Sequence, residues 1–139
     1  MNGGLRYVLD TDTCVSLLRR EPRVRARFIQ VGVRATAIAI PTVGELYVGA
    51  YYSARVEANL ARVRAFLSPR GPEILSLDDE AMHCFARSKA ELRQRGQLIG
   101  DLDLLIAGVA LSQGLTLVTN NVGHFSRIPS LLIENWLVV

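Results

Sequence analysis

The stretch RYVLDTDTCVSLL, residues 6–18, joins two patterns that together decide the fold class. Arg6 to Leu9 carries the short apolar run of a buried strand, and from Thr13 onward Val15, Leu17 and Leu18 fall at helical spacing. A buried strand that passes directly into a helix is the opening of a βαβ unit, whose strands run parallel. Between strand and helix stand Asp10 and Asp12, one residue apart. Three uses are open for them: a helix start, a phosphate-accepting nucleophile, or part of a metal cage.

The same alternation continues outward from this stretch. Pro22 suits the first turn of a second helix running through Arg27, Phe28 and Val31. Thr36 to Ile40 is a β-branched and apolar strand closed by Pro41, after which Thr42 opens a helix carrying Glu45, Leu46, Val48 and Gly49. An arginine-studded helix over Ala54 to Leu67 ends at Ser-Pro-Arg-Gly-Pro, and Ile74 to Leu77 forms a short strand. Asp78 caps a helix from Asp79 to Arg95; a strongly apolar helix from Asp101 to Ser112 stops before Gly114. Leu115 to Val118 is strand, His124 and Phe125 form a single turn, and Leu132 to Trp136 is the last strand. Strands and helices in this order predict an α/β fold, a parallel sheet covered on both faces, as one domain over 1–139.

Bulk properties narrow the functional classes. Half of the 139 residues are hydrophobic and 21% are charged, which excludes a disordered or fibrous chain. The apolar stretches Leu104 to Leu111 and Leu131 to Val139 are too short or too interrupted to span a bilayer, and the first ten residues lack the pattern of an export signal. These readings predict a cytoplasmic protein without a membrane segment. Cys14 and Cys84 belong to no CxxC or Cys/His cluster, so a zinc site is not expected and both thiols should be free. The net charge is +3, and Lys89 is the only lysine among basic residues that are otherwise all arginine. Arginine offers a planar fork suited to phosphate.

The acids fall at telling places. Asp10 ends the first strand, Glu45 lies early in the helix after the second, and Asp101 and Asp103 open the late apolar helix. Loops beyond the carboxyl ends of parallel strands line one crevice, so these acids can converge there. Carboxylates brought together repel unless a cation sits between them, and a hard divalent ion such as Mg²⁺ or Mn²⁺ is the natural guest. Each acid also has a purely structural use: Thr42-x-x-Glu45 has capping-box spacing, and acids at a helix start suit the helix dipole.

Four ordered segments, YVLDTDTCVSLLR, TAIAIPTVGELYVGA, IGDLDLLIAGVAL and GLTLVTNNVGHFSRIPSLLIENW, resemble the PIN-domain toxins of VapBC toxin–antitoxin pairs over nearly the whole chain. The resemblance implies a three-layer α/β/α PIN-like domain with a mainly parallel central sheet. It implies an Mg²⁺- or Mn²⁺-dependent endoribonuclease, cutting tRNA or ribosomal RNA, that forms a homodimer and is held inactive by a VapB-like antitoxin whose tail fills the cleft. Carried over by position, Asp10, Glu45 and Asp103 match the acids that bind metal and catalyse. Asp12 replaces the asparagine more usual in LDTN and, with Asp101, is a supporting acid. The fourth acid of the family falls in the loop after LVT, where this chain has Thr119, Asn120 and Asn121; Thr119 and Asn121 are expected as hydrogen-bonding residues.

Arg19, Arg23 and Arg27 are candidates for the RNA backbone, although a solvated charged face would explain them equally well. His83 reads as a packed or surface residue, and His124 as a bystander of the cleft. Tyr47, Tyr51 and Tyr52 read as core or dimer packing, and Trp136 as an anchor for the terminal strand. Two rival functions fit parts of the chain. A PIN-like module with an impaired metal centre would bind RNA or protein without cleaving. Alternatively, Asp10-x-Asp12 resembles the nucleophile motif of haloacid-dehalogenase-type phosphatases, a scheme that needs a lysine beside the nucleophile, for which Lys89 is the sole candidate.

Overall fold

Successive residues of a strand face opposite sides of a sheet, and here both sides are covered. The computed structural model describes residues 4–138. Its five strands, β1 (Tyr7–Leu9), β2 (Thr36–Ala39), β3 (Glu73–Leu75), β4 (Thr116–Val118) and β5 (Ile133–Glu134), form one sheet in the order β3-β2-β1-β4-β5. All four pairings are parallel, with Val8 beside Ala37 on one flank and beside Leu117 on the other. Met1–Gly3 and Val139 lie outside the described residues, so the reading of the first residues as lacking an export signal rests on sequence alone.

The alternation of β1 divides the core in two. Val8, Ala37, Ala39 and Leu117 pack under α5 (Asp79–Gln94) and α6 (Asp101–Gln113). Tyr7, Leu9, Ile38 and Val118 pack on the opposite side, against α1 (Thr11–Leu18), α2 (Pro22–Val31), α3 (Ile40–Tyr51) and α4 (Val56–Phe66). The expected α/β/α layering is therefore present, and the sheet is wholly parallel. Gly108 brings α6 hard against α5: a Cβ there would lie 2.7 Å from the Ala81 carbonyl oxygen and 3.1 Å from the Phe85 nitrogen. Gly114, with φ +64°, ends α6 in the left-handed conformation that spares glycine a steric cost.

One boundary departs from the sequence reading in a way that matters. Pro41 does not separate β2 from α3; it sits in the first turn of α3, which starts at Ile40. Proline is at home there, because its fixed φ is helical and its missing N–H has no helical partner. Thr42 is consequently inside the helix and buried, the cap position falls to Ala39, and no side chain caps α3. The capping box expected of Thr42 and Glu45 is thus not formed.

The order of the sheet sets the location of the site. From β1 the chain moves outward to β2 and β3, then returns to place β4 and β5 on the other flank of β1. The reversal opens a crevice beyond the carboxyl ends of β1 and β4. α7 (Val122–Phe125), a single turn, follows β4 and buries Phe125 in the α5–α6 side of the core.

Candidate active site

Asp10 and Thr119 are the first residues past the two strands that flank the reversal. The Asp10 N–H donates to the Val118 carbonyl at 3.0 Å, and the Thr13 hydroxyl donates to the same carbonyl at 3.0 Å. The Asp10 carboxylate caps α1, accepting from the Thr13 N–H at 2.8 Å, and it also bonds the Thr119 hydroxyl. That hydroxyl in turn accepts from the Asn121 N–H at 2.9 Å. Asp10 is therefore nearly buried yet held by several donors. Burial pushes its carboxyl above the ordinary aspartate value, the bonds from Thr119 and Thr13 pull it back, and the charge of Asp12 pushes up; the net direction is upward.

Glu45 reaches the same region from α3. The Thr11 hydroxyl donates a hydrogen bond to its Oε1 and lies 3.4 Å from the Thr42 hydroxyl, so the α1 start and α3 are tied at this point. Asp103 stands half-buried in the first turn of α6. Its carboxyl is raised, first by burial and then by the charge of Glu45; His124 pulls it down, and Asp12 adds the smallest upward push. Asp12, exposed in the first turn of α1, thus acts on both Asp10 and Asp103.

The arrangement is a shared field of negative charge. Among the described residues, no three His, Cys, Asp or Glu side chains stand close enough to form a ready-made metal cage. A hard divalent ion does not require one, since Mg²⁺ is commonly held by one or two carboxylates and completes its shell with water. Oxygen donors whose mutual repulsion lifts Asp103 are a donor set that a divalent ion relieves.

Other expected residues have different surroundings. Asp101 is paired with Lys89 at 3.0 Å, which neutralises it on the α5 side. The same pair occupies the only lysine, which the phosphatase scheme needed beside Asp10. The Asn121 side-chain amide meets His124 Nδ1 at 2.9 Å. Arg19 is exposed and, with Glu45 and Arg62, lines a groove of about 280 Å³ between α1, α3 and α4. Arg23 is exposed and paired to Glu21 at 3.1 Å. Arg27 is turned instead to Glu134 at 3.3 Å and to the Tyr7 hydroxyl at 3.5 Å, which commits its guanidinium to the protein itself. Cys14 and Cys84 are free and buried, and burial followed by the charge of Asp10 holds the Cys14 thiol far above its ordinary range. Sequence reasoning does not single out Thr11 and Thr13; their one signal is the threonine on either side of Asp12.

The PIN domain pattern matches residues 7–131, from β1 to the approach to β5. Over 95% of this chain and 98% of the relative, the sequence is 39% identical to the "tRNA(fMet)-specific endonuclease VapC" of Salmonella typhimurium. The chain belongs to the PIN-domain family, as a VapC-type ribonuclease toxin. A "Ribonuclease VapC2" of Haemophilus influenzae is 40% identical to this VapC chain, over 96% of it and 99% of the relative. The solved structure "DNA bound VapBC from Salmonella typhimurium" superposes with a TM-score of 0.88 at 40% identity, covering 95% of this VapC chain and 98% of that one. Asp10 and Thr119 therefore follow adjacent parallel strands of a PIN fold.

Proposed function

We propose that this VapC chain is a divalent-metal-dependent endoribonuclease whose centre is formed by Asp10, Glu45 and Asp103, with Asp12 adding to their field. What supports the reading is the charge on Asp103: two further carboxylates, Glu45 and Asp12, act on it from α3 and α1. When bound, Mg²⁺ or Mn²⁺ supplies Lewis acidity, making water more acidic and offsetting charge on the phosphodiester. Asp10 is pre-oriented for such an ion by Thr13 and Thr119, and Glu45 by Thr11. One of these carboxylates accepts the proton of the attacking water. Thr119 and Asn121 maintain the geometry of the loop where the family carries its fourth acid, and they add no charge there.

The 39% identity to the Salmonella enzyme makes tRNA, and initiator tRNA first, the substrate class to test. The arginines outside the crevice, Arg19 and Arg23 among them, meet the RNA backbone. A VapB-like antitoxin covers the groove lined by Arg19, Glu45 and Arg62, and a second copy of the chain covers the exposed Val48 and Tyr51 of α3 and Tyr52 just past its end. An RNA target places the action in the cytoplasm; no helix among the described residues is long and apolar enough to cross a membrane.

The test uses antitoxin-free protein with a tRNA pool, in Mn²⁺ and in excess chelator. Cleavage should require the ion and stop at one site in a restricted set of tRNAs. Saturating RNA binding without cleavage in any divalent ion would favour the impaired binding module, for which the uncharged loop at Thr119 to Asn121 is the motive.

A further inference from the structure

The strand end that holds Thr119 is itself fastened by an unusual group of side chains. The Thr119 N–H donates to the Glu134 carbonyl of β5 at 2.9 Å. The Glu134 carboxylate, through Oε1, accepts from Trp136 Nε1 at 3.0 Å and from Arg27 of α2 at 3.3 Å. Trp136 is 5% exposed and packs edge-on to Tyr7, ring centres 5.4 Å apart. Tyr7 is in β1, three residues before Asp10, and its hydroxyl accepts from Arg6 at 3.1 Å and lies 3.5 Å from Arg27. The group therefore grips both strands whose ends present Asp10 and Thr119. β5 is only two residues long and lies at the sheet edge, so its own ladder supplies little rigidity.

We propose that Glu134 is a positioning residue for the acidic centre: clasped by Arg27 and Trp136, it fixes the end of β5, thereby Thr119, and through the Thr119 hydroxyl the orientation of Asp10. Outer partners of this kind leave the first ligands in place but set their direction, and their loss commonly weakens metal binding by about ten- to a hundredfold. The assignment also gives Arg27 a use other than RNA contact. It rests on the reading of Asp10 as part of the metal centre.

The test compares Glu134→Ala and Glu134→Gln with the parent chain, the glutamine keeping an acceptor for Trp136 and Arg27. Amide hydrogen exchange is read at Thr119 and at Thr13, whose N–H bonds the Asp10 carboxylate, in protein without metal. Mn²⁺ affinity is read by calorimetry, and kcat and KM by cleavage of tRNA. In Glu134→Ala, exchange should accelerate at these two amides ahead of the core strands, Mn²⁺ binding should weaken about tenfold, and kcat should fall with KM kept. Glu134→Gln should restore most of each. Unchanged exchange at Thr13, or a general loss of protection with Mn²⁺ affinity intact, would overturn the proposal. If Glu134→Ala does not fold, Arg27→Leu takes its place with the same expected pattern. Should the parent chain bind no Mn²⁺, the metal reading fails, and the exchange at Thr13 alone decides whether Glu134 orients Asp10.

Discussion

Asp103 carries two consequences of opposite sign. On the proposed reading it shares the metal centre with Glu45, so Asp103→Asn should lower tRNA cleavage by about a hundredfold or more, the scale for removing one preorganised group. In the absence of metal the same residue is a liability. Its carboxyl titrates above the ordinary value of 3.8 because burial and neighbouring charge favour the protonated form. Between that value and the raised one the folded chain binds more protons than the unfolded chain, so stability falls as pH rises through the window and stays lower above it. Metal-free Asp103→Asn should therefore melt higher than the parent at neutral pH and lose part of this slope, while added Mn²⁺ should raise the melting temperature of the parent more than that of the variant. Thermal melts from about pH 4 to pH 8 check the sign. A variant that melts lower at neutral pH would show Asp103 to be a structural acid.

At the scale of elements, the close approach of α5 and α6 makes the sharpest case. Gly108→Ala would drive a methyl into the Ala81 carbonyl, which is backbone and cannot swing aside. The helices must separate, at a cost of about 1–3 kcal/mol in a denaturant titration. The order of strands and helices was legible from hydrophobic period and breakers, because a parallel sheet buried on both faces leaves uninterrupted apolar runs such as Tyr7–Leu9. The start of α3 was not, since proline closes strands and opens helices equally well, and only the burial of Thr42 decides between them. Asp10 could be placed because the end of its strand announces it, whereas Glu45 and Asp103 lie within helices. The partners of Asp101 and Arg27 could not be read: Lys89 lies on a separate helix, and Glu134 is 107 positions from Arg27.

Over the whole molecule, charge and shape divide the work. The charges of Glu45 and Asp12 act on Asp103, while arginines such as Arg19, Arg20, Arg23 and Arg25 lie exposed after α1 and along α2. RNA binding should accordingly weaken steeply with salt, and Arg19→Ala with Arg23→Ala should reduce the slope of log K against log salt by about 0.7 for each phosphate that is no longer neutralised. Filter binding of tRNA over a salt series measures it; an unchanged slope would remove both residues from the interface. The division also bears on how the protein comes into being. Thr13 meets Val118 across 105 positions of sequence, so the pocket of Asp10 is closed by segments that leave the ribosome long after α1. A partly synthesised chain has its acids but no wall to hold them. The wall of the Asp10 pocket is therefore complete only once translation has delivered β4.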